Sequence, residues 1–440
     1  MKKHKTSLAT RILWGLVIGI LAALLTLSIG HFHPPTLAFM QKVSSAVFDP
    51  FGQVFLRLLF FVVIPLVFSS LASGVTQLGQ LNKLGPLAGR TFVLFFANMG
   101  IGVAIGLVMM NVLVPGQHID PEATRQLMAE YGGTAAESVR THAEQPSLSL
   151  GLLVEMFMPR NLFGAVVGNT RDAIGDVLPL ILFAILIGAA GTQLDDEKRE
   201  KLQAGLDLVT ELMTRIVDFA LRLAPYAVPA MIYSVIVKVG LDVVFALSMF
   251  VIGCLLAMAL HLFGTMSLWI RFLGKQSPWQ FFKRIRPVLV TAFSTSSSNA
   301  TLPTSLAIAQ EELKLRQSTS GFVLPLGATM NMSGTALFEG CVVLFVAQVF
   351  GVDLSLSSQI IMLLLSVLSA VAVSGIPGGS LPMIAGLLAT FGVPPEGIGI
   401  IIGVDRILDM ARTTVNVGSD IVTAQIVDDS LKRVEARKGG

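Results

Sequence analysis

Charged residues are scarce in this 440-residue chain. Asp, Glu, Lys and Arg make up 13% of it, whereas soluble domains carry roughly 25%. Hydrophobic residues make up 53%, so there is too little charge to cover a water-exposed surface. A soluble globular protein is therefore excluded. The formal net charge of +3 at pH 7 is also too small to indicate a nucleic-acid partner.

Cysteine is nearly absent as well. The two cysteines, Cys254 and Cys341, lie within apolar segments, where a buried thiol is the simpler interpretation. Neither a disulfide framework nor a Cys/His spacing typical of metal sites is present. The serine-rich segments lack the His–Asp pair and the strand–turn–helix elbow that would accompany a nucleophilic serine. We therefore do not expect an enzyme.

Long apolar runs dominate the composition instead. A bilayer span needs about 20 mostly apolar residues, and such stretches recur along the chain. They include Ile12–Leu27, Val54–Leu71, Phe92–Leu113, Leu178–Ala190, Val243–Phe263, Phe338–Val349 and Ile360–Val373. The sequence predicts an all-α membrane protein with many spans, whose first apolar run is a retained helix rather than a signal peptide.

The distribution of Lys and Arg predicts the orientation in the membrane. Basic residues near the spans mark the cytoplasmic side, and they cluster at both ends of the chain and in the loops around Lys83, Lys198 and Lys275. The segment Gln117–Ser147 instead carries five acidic and two basic residues, so we expect it outside the cell. Both termini are predicted to be cytoplasmic, with eight spans in the cell (inner) membrane.

The pattern changes after about residue 286. Two apolar hairpins have small polar residues at their tips, Ser294–Pro303 and Ser374–Pro382, and each precedes a helix with polar residues at mid-length. Those residues are Gly327–Thr335 and Asp405–Asp420. Paired segments interrupted by Gly or Pro indicate a transporter binding site. Two flexible polar loops are the alternative, which the apolar flanks of both tips disfavour.

Five polar residues form one stripe on the last helix, because Asp405, Asp409, Arg412, Asn416 and Asp420 recur every three or four positions. A charge at mid-membrane costs about 2.5–3.5 kcal/mol on insertion scales, so the stripe must face protein or water. A guanidinium group offers a planar fork to a carboxylate, and an aspartate suits an ammonium group. An acidic amino acid carries both groups. The alternative is an internal ion-pair network.

A cation site is predicted beside this stripe. Gly327 and Gly334 bracket a polar run in an otherwise apolar helix, which favours local unwinding. Unwound carbonyl groups together with Asn, Asp or Thr oxygens are typical of Na⁺ sites. Asn331, Asn416 and Asp420 are thus expected to converge on one ion. Close helix packing through small residues is the alternative for such a run.

The four motifs between Arg286 and Asp428 resemble, in type and order, those of the dicarboxylate/amino acid:cation symporter family. This family includes archaeal aspartate transporters and mammalian excitatory amino acid transporters. The resemblance implies eight transmembrane helices, two re-entrant hairpins, an inverted-repeat elevator fold and a homotrimer. It implies a scaffold and trimerisation part in residues 1–275, whose third and sixth spans move with the transport domain in residues 276–427. Residues 428–440 would be a cytoplasmic tail.

The resemblance also implies the residues of the site. Ser298 would contact the substrate α-carboxylate, Asp409 its amino group and Arg412 its side-chain carboxylate. The implied substrate-binding residues are Ser297, Ser298, Thr335, Ile376, Ser380, Asp409, Arg412, Thr413 and Asn416. The implied Na⁺ ligands are Gly327, Thr329, Asn331, Met332, Asn416 and Asp420.

The chain departs from the family pattern in its ion sites. Ser333 replaces the aspartate of an Asn-Met-Asp-Gly-Thr motif, and Asn98 and Met99 stand where the third span should supply hydroxyl groups. A neutral site offsets a desolvated cation poorly, so we expect fewer coupled Na⁺ ions than in archaeal relatives. Glu339 matches a glutamate of mammalian members thought to carry a proton, and we expect H⁺ coupling through it. The alternative is a neutral glutamate without a part in the cycle.

The predicted function is Na⁺- and/or H⁺-coupled symport of glutamate or aspartate by an elevator mechanism. Dicarboxylate carriers of the family lack the amino-binding aspartate, and its neutral amino acid carriers lack the arginine. Asp409 and Arg412 together therefore favour an acidic amino acid. A C4-dicarboxylate symporter is the alternative within this class, and an anion channel is the alternative from a different class.

Overall fold

A computed structural model describes residues 8–78, 86–120, 122, 124–125, 158–167, 177–372 and 380–438. Within these ranges every regular element is a helix, as the sequence predicts. The helices of the N-terminal part are α1 (Leu8–Phe32), α2 (Pro34–Val43), α3 (Asp49–Phe60), α4 (Val63–Leu78), α5 (Pro86–Leu113), α6 (Leu162–Val167), α7 (Val177–Gly191), α8 (Asp196–Leu221), α9 (Ala224–Val239), α10 (Asp242–Ala259) and α11 (Met266–Phe272).

The C-terminal part continues with shorter helices and ends in a long one. They are α12 (Pro278–Thr295), α13 (Ser298–Glu311), α14 (Gln317–Met330), α15 (Ser333–Val349), α16 (Leu356–Ala372), α17 (Leu381–Thr390), α18 (Ile398–Ile401) and α19 (Asp405–Lys438). Proline lies in the first turn of α2, α3, α9, α12 and α17. A helix start tolerates proline because the N–H group at that position has no partner within the helix.

Five of the described helical segments are long and apolar enough to cross a membrane. The number rises to six if the bent pair Asp196–Leu221 and Ala224–Lys238 forms one span. Large apolar side chains such as Phe61, Val112 and Phe272 are exposed, as expected where lipid is the solvent. These features support a multi-pass membrane protein, while the number of eight spans stays a prediction.

The helices pack in two groups. In the first group α1 and α3 pack against α9, and α4 packs against α7 and α8. In the second group α12, α13, α14 and α15 all contact α19, and α5 and α10 pack against both α15 and α19. The last helix is therefore enclosed by protein along most of its length, and its polar stripe is shielded from the surface.

Two of the predicted interruptions lie within the described part of the second group. Helices α12 and α13 form a hairpin whose turn contains Ser296, with a left-handed φ of 50°, and Ser297, whose Oγ accepts a bond from the Ala300 N–H group. Between α14 and α15, Asn331 and Met332 leave the helical conformation with ψ values of 63° and 60°. The tip between α16 and α17, which includes Ile376, lies outside the described residues.

Candidate functional site

The polar stripe of α19 lies inside the protein. Asp405, Asp409, Arg412, Asn416 and Asp420 are each at most 7% exposed. Leu408, Val415 and Val417 between them are buried as well, because helices contact α19 on several sides. The burial satisfies the requirement that these charges avoid lipid, so each charge needs a partner from the protein or from a ligand.

Arg412 is held by two carboxylates and an aromatic ring. Its Nε and Nη2 atoms lie 3.0 and 2.8 Å from Asp409 Oδ1, and its Nη1 atom lies 3.0 Å from Asp405 Oδ1. The guanidinium carbon stands 4.7 Å from the centre of the Phe338 ring. Stacking on a ring and pairing with carboxylates orient the planar group, as a carboxylate-binding arginine requires.

A second arginine, which the sequence analysis did not single out, also reaches this cluster. Arg406 Nη1 lies 3.4 Å from Asp409 Oδ2. Arg406 lies three residues before Asp409 on the same helix, and this spacing could have indicated the contact. The cluster thus contains Asp405, Asp409, Arg406 and Arg412, whose formal charges sum to zero.

Asn416 joins α19 to the broken helix. Its Oδ1 atom accepts hydrogen bonds from the backbone N–H groups of Gly334 at 2.7 Å and Thr335 at 3.3 Å. Its Nδ2 atom donates to Thr335 Oγ1 at 3.1 Å. The first N–H groups of a helix have no partner within that helix, so Asn416 caps α15 from a neighbouring element. The predicted neighbours Thr335 and Asn416 are in contact.

Two glycines allow the broken helix to approach α19 closely. A Cβ atom on Gly327 would collide with the Asp420 carboxylate, and one on Gly334 would collide with the Arg412 carbonyl oxygen. A side chain at either position would push the two elements apart. The small residues that predicted unwinding therefore also serve close packing, which was the alternative interpretation of this run.

A buried polar network surrounds the break between α14 and α15. Asn331 Nδ2 donates to Asp420 Oδ1 at 2.8 Å and to Ser419 Oγ at 3.1 Å, and Asn331 Oδ1 accepts from Asn98 Nδ2 at 2.9 Å. The Oγ atoms of Ser333 and Ser419 are 3.1 Å apart. The structure thus brings Asn331 and Asp420 together. Asn98 and Ser333, two of the three departures from the family pattern at this ion site, belong to the same network.

The other residues implied for Na⁺ have different surroundings. Met332 and Gly327 are buried, whereas Thr329 is exposed and donates to the Leu326 carbonyl oxygen at 3.0 Å. The Asn416 side chain is engaged one turn away, at the start of α15. Within the described ranges no group of three or more His, Cys, Asp or Glu side chains could hold a metal ion. A cation here would depend on amide, hydroxyl and backbone oxygens beside the Asp420 carboxylate.

Of the remaining predicted residues, Ser297, Ser298 and Ser380 lie at helix starts, and Thr413 lies within α19. Ser298, Ser380 and Thr413 are buried, and Ser297 begins α13 as its N-cap. The Oγ atom of Ser380 is buried without a hydrogen-bond partner among the described residues. Buried hydroxyl groups are normally paired, so this hydroxyl is available to a partner that the described residues do not supply.

Glu339 is fully buried on α15. Its Oε1 atom accepts a hydrogen bond from Ser369 Oγ of α16 at 3.1 Å, and its Oε2 atom has no partner within the described part of the chain. Glu339 follows Phe338, the residue that stacks on Arg412. The predicted proton carrier therefore lies next to the stripe and contacts the second hairpin.

Comparisons with known proteins agree with the family resemblance seen in the sequence motifs. The sequence matches the family described as "Sodium:dicarboxylate symporter family" over residues 8–430. It is 30% identical to the proton/sodium-glutamate symport protein of Bacillus caldotenax, covering 99% of this chain and 97% of that protein. It is 28% identical to the proton/glutamate-aspartate symporter of Escherichia coli (97% and 93% covered). It is 29% identical to the C4-dicarboxylate transport protein of Rhodospirillum rubrum (98% and 92% covered).

Proposed function

The chain belongs to the sodium:dicarboxylate symporter family, as its motifs indicated, and we propose that it carries acidic amino acids across the membrane together with Na⁺ and/or H⁺. It is a secondary transporter rather than an enzyme. The relatives named as glutamate and glutamate-aspartate symporters support this substrate class. A relative named as a C4-dicarboxylate transport protein makes that substrate class the alternative.

The observation that carries the proposal is the buried Asp405–Arg412–Asp409 cluster. Arg412 is already oriented for carboxylates, so the side-chain carboxylate of a substrate can take the place of Asp409 on its guanidinium group. Asp409 is then available to the substrate ammonium group. This exchange keeps each buried charge paired, and an unpaired buried charge costs several kcal/mol.

The same charge balance explains why a cation must accompany the substrate. Aspartate and glutamate carry a net charge of −1 at neutral pH, and the four charges of the cluster already cancel. A bound acidic amino acid therefore leaves at least one negative charge in a low-dielectric environment. At least one Na⁺ or proton is needed to restore neutrality. This argument favours coupled symport over a simple anion pore.

We place the Na⁺ ligands around the break between α14 and α15, on Gly327, Thr329, Asn331, Met332, Asn416 and Asp420. Asn98 and Ser333 support a smaller number of ions than in archaeal members, because the Asn98 amide nitrogen already donates to Asn331 and neither residue brings a negative charge. We place the proton on Glu339, whose Oε2 atom has no partner among the described residues.

The proposed architecture follows the family. We propose eight spans with both termini in the cytoplasm, two re-entrant hairpins and a homotrimer in the cell (inner) membrane. The α12–α19 group with α5 and α10 would be the moving transport domain, since these helices pack together around α19. The α1–α4 and α7–α9 group would be the scaffold. Ser297, Ser298, Thr335, Ile376, Ser380, Asp409, Arg412, Thr413 and Asn416 would form the substrate pocket.

The test is uptake of radiolabelled aspartate into proteoliposomes with Na⁺ and pH gradients imposed one at a time. Saturable uptake that requires at least one gradient supports symport. Unlabelled glutamate should compete strongly, and succinate weakly. Stronger competition by succinate than by glutamate would assign the chain to the C4-dicarboxylate class, and gradient-independent, non-saturable flux would assign it to a channel. Asp409→Asn serves as a variant with the same shape and no negative charge.

A further inference from the structure

Apart from its contribution to the charge balance, Arg406 has no part in the transport scheme described so far. It lies at the start of α19 with its side chain 19% exposed, and its Nη1 atom is 3.4 Å from Asp409 Oδ2. Its Nε atom is buried and has no hydrogen-bond partner among the described residues. The Arg406 guanidinium group therefore contacts the cluster through one nitrogen atom while another buried nitrogen atom lacks a hydrogen bond within the described part of the chain, which is unusual for a buried polar group.

The contacts divide the Asp409 carboxylate between two arginines. Arg412 holds Oδ1 with two nitrogen atoms at 2.8 and 3.0 Å, whereas Arg406 holds Oδ2 with one longer contact of 3.4 Å. A substrate ammonium group that binds Asp409 needs an oxygen atom. Oδ2 is the oxygen with the weaker protein contact, and two cations at one carboxylate repel each other, so the ammonium group and Arg406 compete for Asp409.

We propose that Arg406 is an internal substitute for the ammonium group of the substrate. It pairs with Asp409 when no amino acid does so, and it is displaced when an amino acid binds. The inference rests on the proposed function, because it assumes that the amino group of a substrate binds Asp409. It adds a residue that sets both the affinity for amino acids and the rate at which the unloaded carrier returns.

Charge balance gives the reason for such a residue. With Arg406 in place, Asp405 and Asp409 are matched by Arg406 and Arg412, so the unloaded cluster crosses the membrane without net charge. Without Arg406 the cluster carries one uncompensated negative charge, and a buried unpaired charge is expensive. The return of the unloaded carrier would then slow. Exchange of internal for external substrate omits that step.

The Arg406 side chain can move toward water when it is displaced. Arg406 is partly exposed, and an arginine near a helix end can extend its charged group toward water while its alkyl chain stays on apolar surface. Displacement by an ammonium group therefore does not bury a free guanidinium group. A substrate that lacks an amino group, such as succinate, would leave Arg406 on Asp409.

The decisive variant is Arg406→Gln, compared with wild type in aspartate binding, net uptake and exchange. We expect the Kd for aspartate to fall by about tenfold, within the range of typical site-to-site coupling. We also expect net uptake to slow by about tenfold relative to exchange. Affinity for succinate should not improve, since succinate has no group that profits from the vacated oxygen. Arg406→Lys should restore part of the net uptake.

Arg90→Gln is the matched control, because Arg90 is a half-buried arginine with a contact to Ser430 Oγ at 2.7 Å, away from the cluster. Its ratio of exchange to net uptake should equal that of wild type. An unchanged aspartate Kd in Arg406→Gln, or an equal loss of net uptake and exchange, would overturn the inference. Arg406→Met provides the same comparison if the glutamine variant does not fold. Failure of the wild-type protein to bind or exchange aspartate would instead refute the proposed function.

Discussion

Ser369 donates a buried hydrogen bond to Glu339 at 3.1 Å and thereby links α16 to α15 inside the protein. The bond uses Oε1 of Glu339 and leaves Oε2 without a partner among the described residues. A carboxyl group in this arrangement accepts one bond and still has an oxygen that can hold a proton. Because α16 belongs to the proposed second hairpin, the bond connects a candidate proton site to that hairpin.

Glu339→Gln should abolish the response of uptake to a pH gradient. Glutamine can accept the bond from Ser369 and has nearly the same shape, but it cannot release a proton. Aspartate uptake into proteoliposomes at a fixed Na⁺ gradient, with and without an inward proton gradient, measures the effect. Ser369→Ala is the control that keeps the carboxyl group, and it should keep the pH-gradient response. A glutamine variant that responds as wild type does would rule out Glu339 as the proton carrier.

Arg412→Lys should reduce aspartate uptake by at least about 30-fold, because truncating one partner of a buried charge pair costs about 2–5 kcal/mol. Lysine keeps the positive charge but cannot contact Asp405 and Asp409 through separate nitrogen atoms as Arg412 does. Uptake of labelled aspartate and of a neutral amino acid should be measured side by side. Retention of near wild-type aspartate uptake would show that the fork geometry is not needed.

Several features of this site could be predicted from the sequence because they are local. The spacing of Asp405, Asp409 and Arg412 fixes them on one face of a helix, and the membrane forces that face inward. The polar run around Asn331 interrupts an apolar helix, and the structure has the interruption there. Periodicity, composition and the energetics of burial suffice for such features.

Other features depend on contacts between distant segments and could not be predicted in the same way. The bond between Asn98 and Asn331 joins α5 to the break before α15, and the bond between Ser369 and Glu339 joins two further helices. No local pattern marks Ser369 as a partner, because it is one of several serines in an apolar segment. Arg406 is different, since its position three residues before Asp409 was visible and its role was not.

Gly327→Ala should weaken the proposed Na⁺ site. The added methyl group would collide with the Asp420 carboxylate and so break the 2.8 Å bond between Asn331 and Asp420. Overpacking of this kind costs about 1–3 kcal/mol. Thermal unfolding in detergent with and without Na⁺ should show a lower Tm and a smaller stabilisation by Na⁺ than in wild type.

Gly321→Ala is the matched control for this substitution. Gly321 lies on the same helix, α14, and a Cβ atom there would meet nothing within 4 Å. Alanine is favoured over glycine in a helix by up to about 1 kcal/mol, so this variant should be as stable as wild type or slightly more stable. If Gly327→Ala keeps the full stabilisation by Na⁺, Gly327 and Asp420 do not form the cation site.

Asp428 ties the polar C-terminal end of α19 to the start of α14. Its carboxylate accepts bonds from Arg316 Nε at 2.8 Å and Thr319 Oγ1 at 2.9 Å, and Lys432 Nζ lies 2.6 Å away. With 34 residues α19 is about 51 Å long, which exceeds the roughly 30 Å of a bilayer core. We expect Asp428, the first residue of the predicted cytoplasmic tail, to lie in the part of the helix that extends beyond the membrane.

The pKa of Asp428 predicts how these contacts respond to acid. Burial by itself raises the pKa, but the hydrogen bonds from Lys432, Arg316 and Thr319 outweigh it, so the pKa lies below the ordinary value of 3.8. A carboxyl group whose pKa is lowered in the folded state stabilises the fold at any pH above the pKa that the group has in the unfolded state. That contribution is lost as the pH falls through the lowered pKa. Neutral and mildly acidic conditions should therefore leave the contacts intact.

Asp428→Asn should thus lower the unfolding free energy by about 1–2 kcal/mol at pH 7, less than for a fully buried ion pair because Arg316 and Lys432 are partly exposed. The difference from wild type should shrink as the pH falls below about 4 and through the lowered pKa of Asp428, because the carboxyl group is then protonated first in the unfolded state and afterwards in the folded state. A double-mutant cycle with Arg316→Gln, measured by thermal unfolding at pH 7 and at the lowest pH the detergent-solubilised protein tolerates, isolates the pair. A coupling energy that is zero at pH 7, or that does not decrease in acid, would mean that these contacts do not hold α14 against α19.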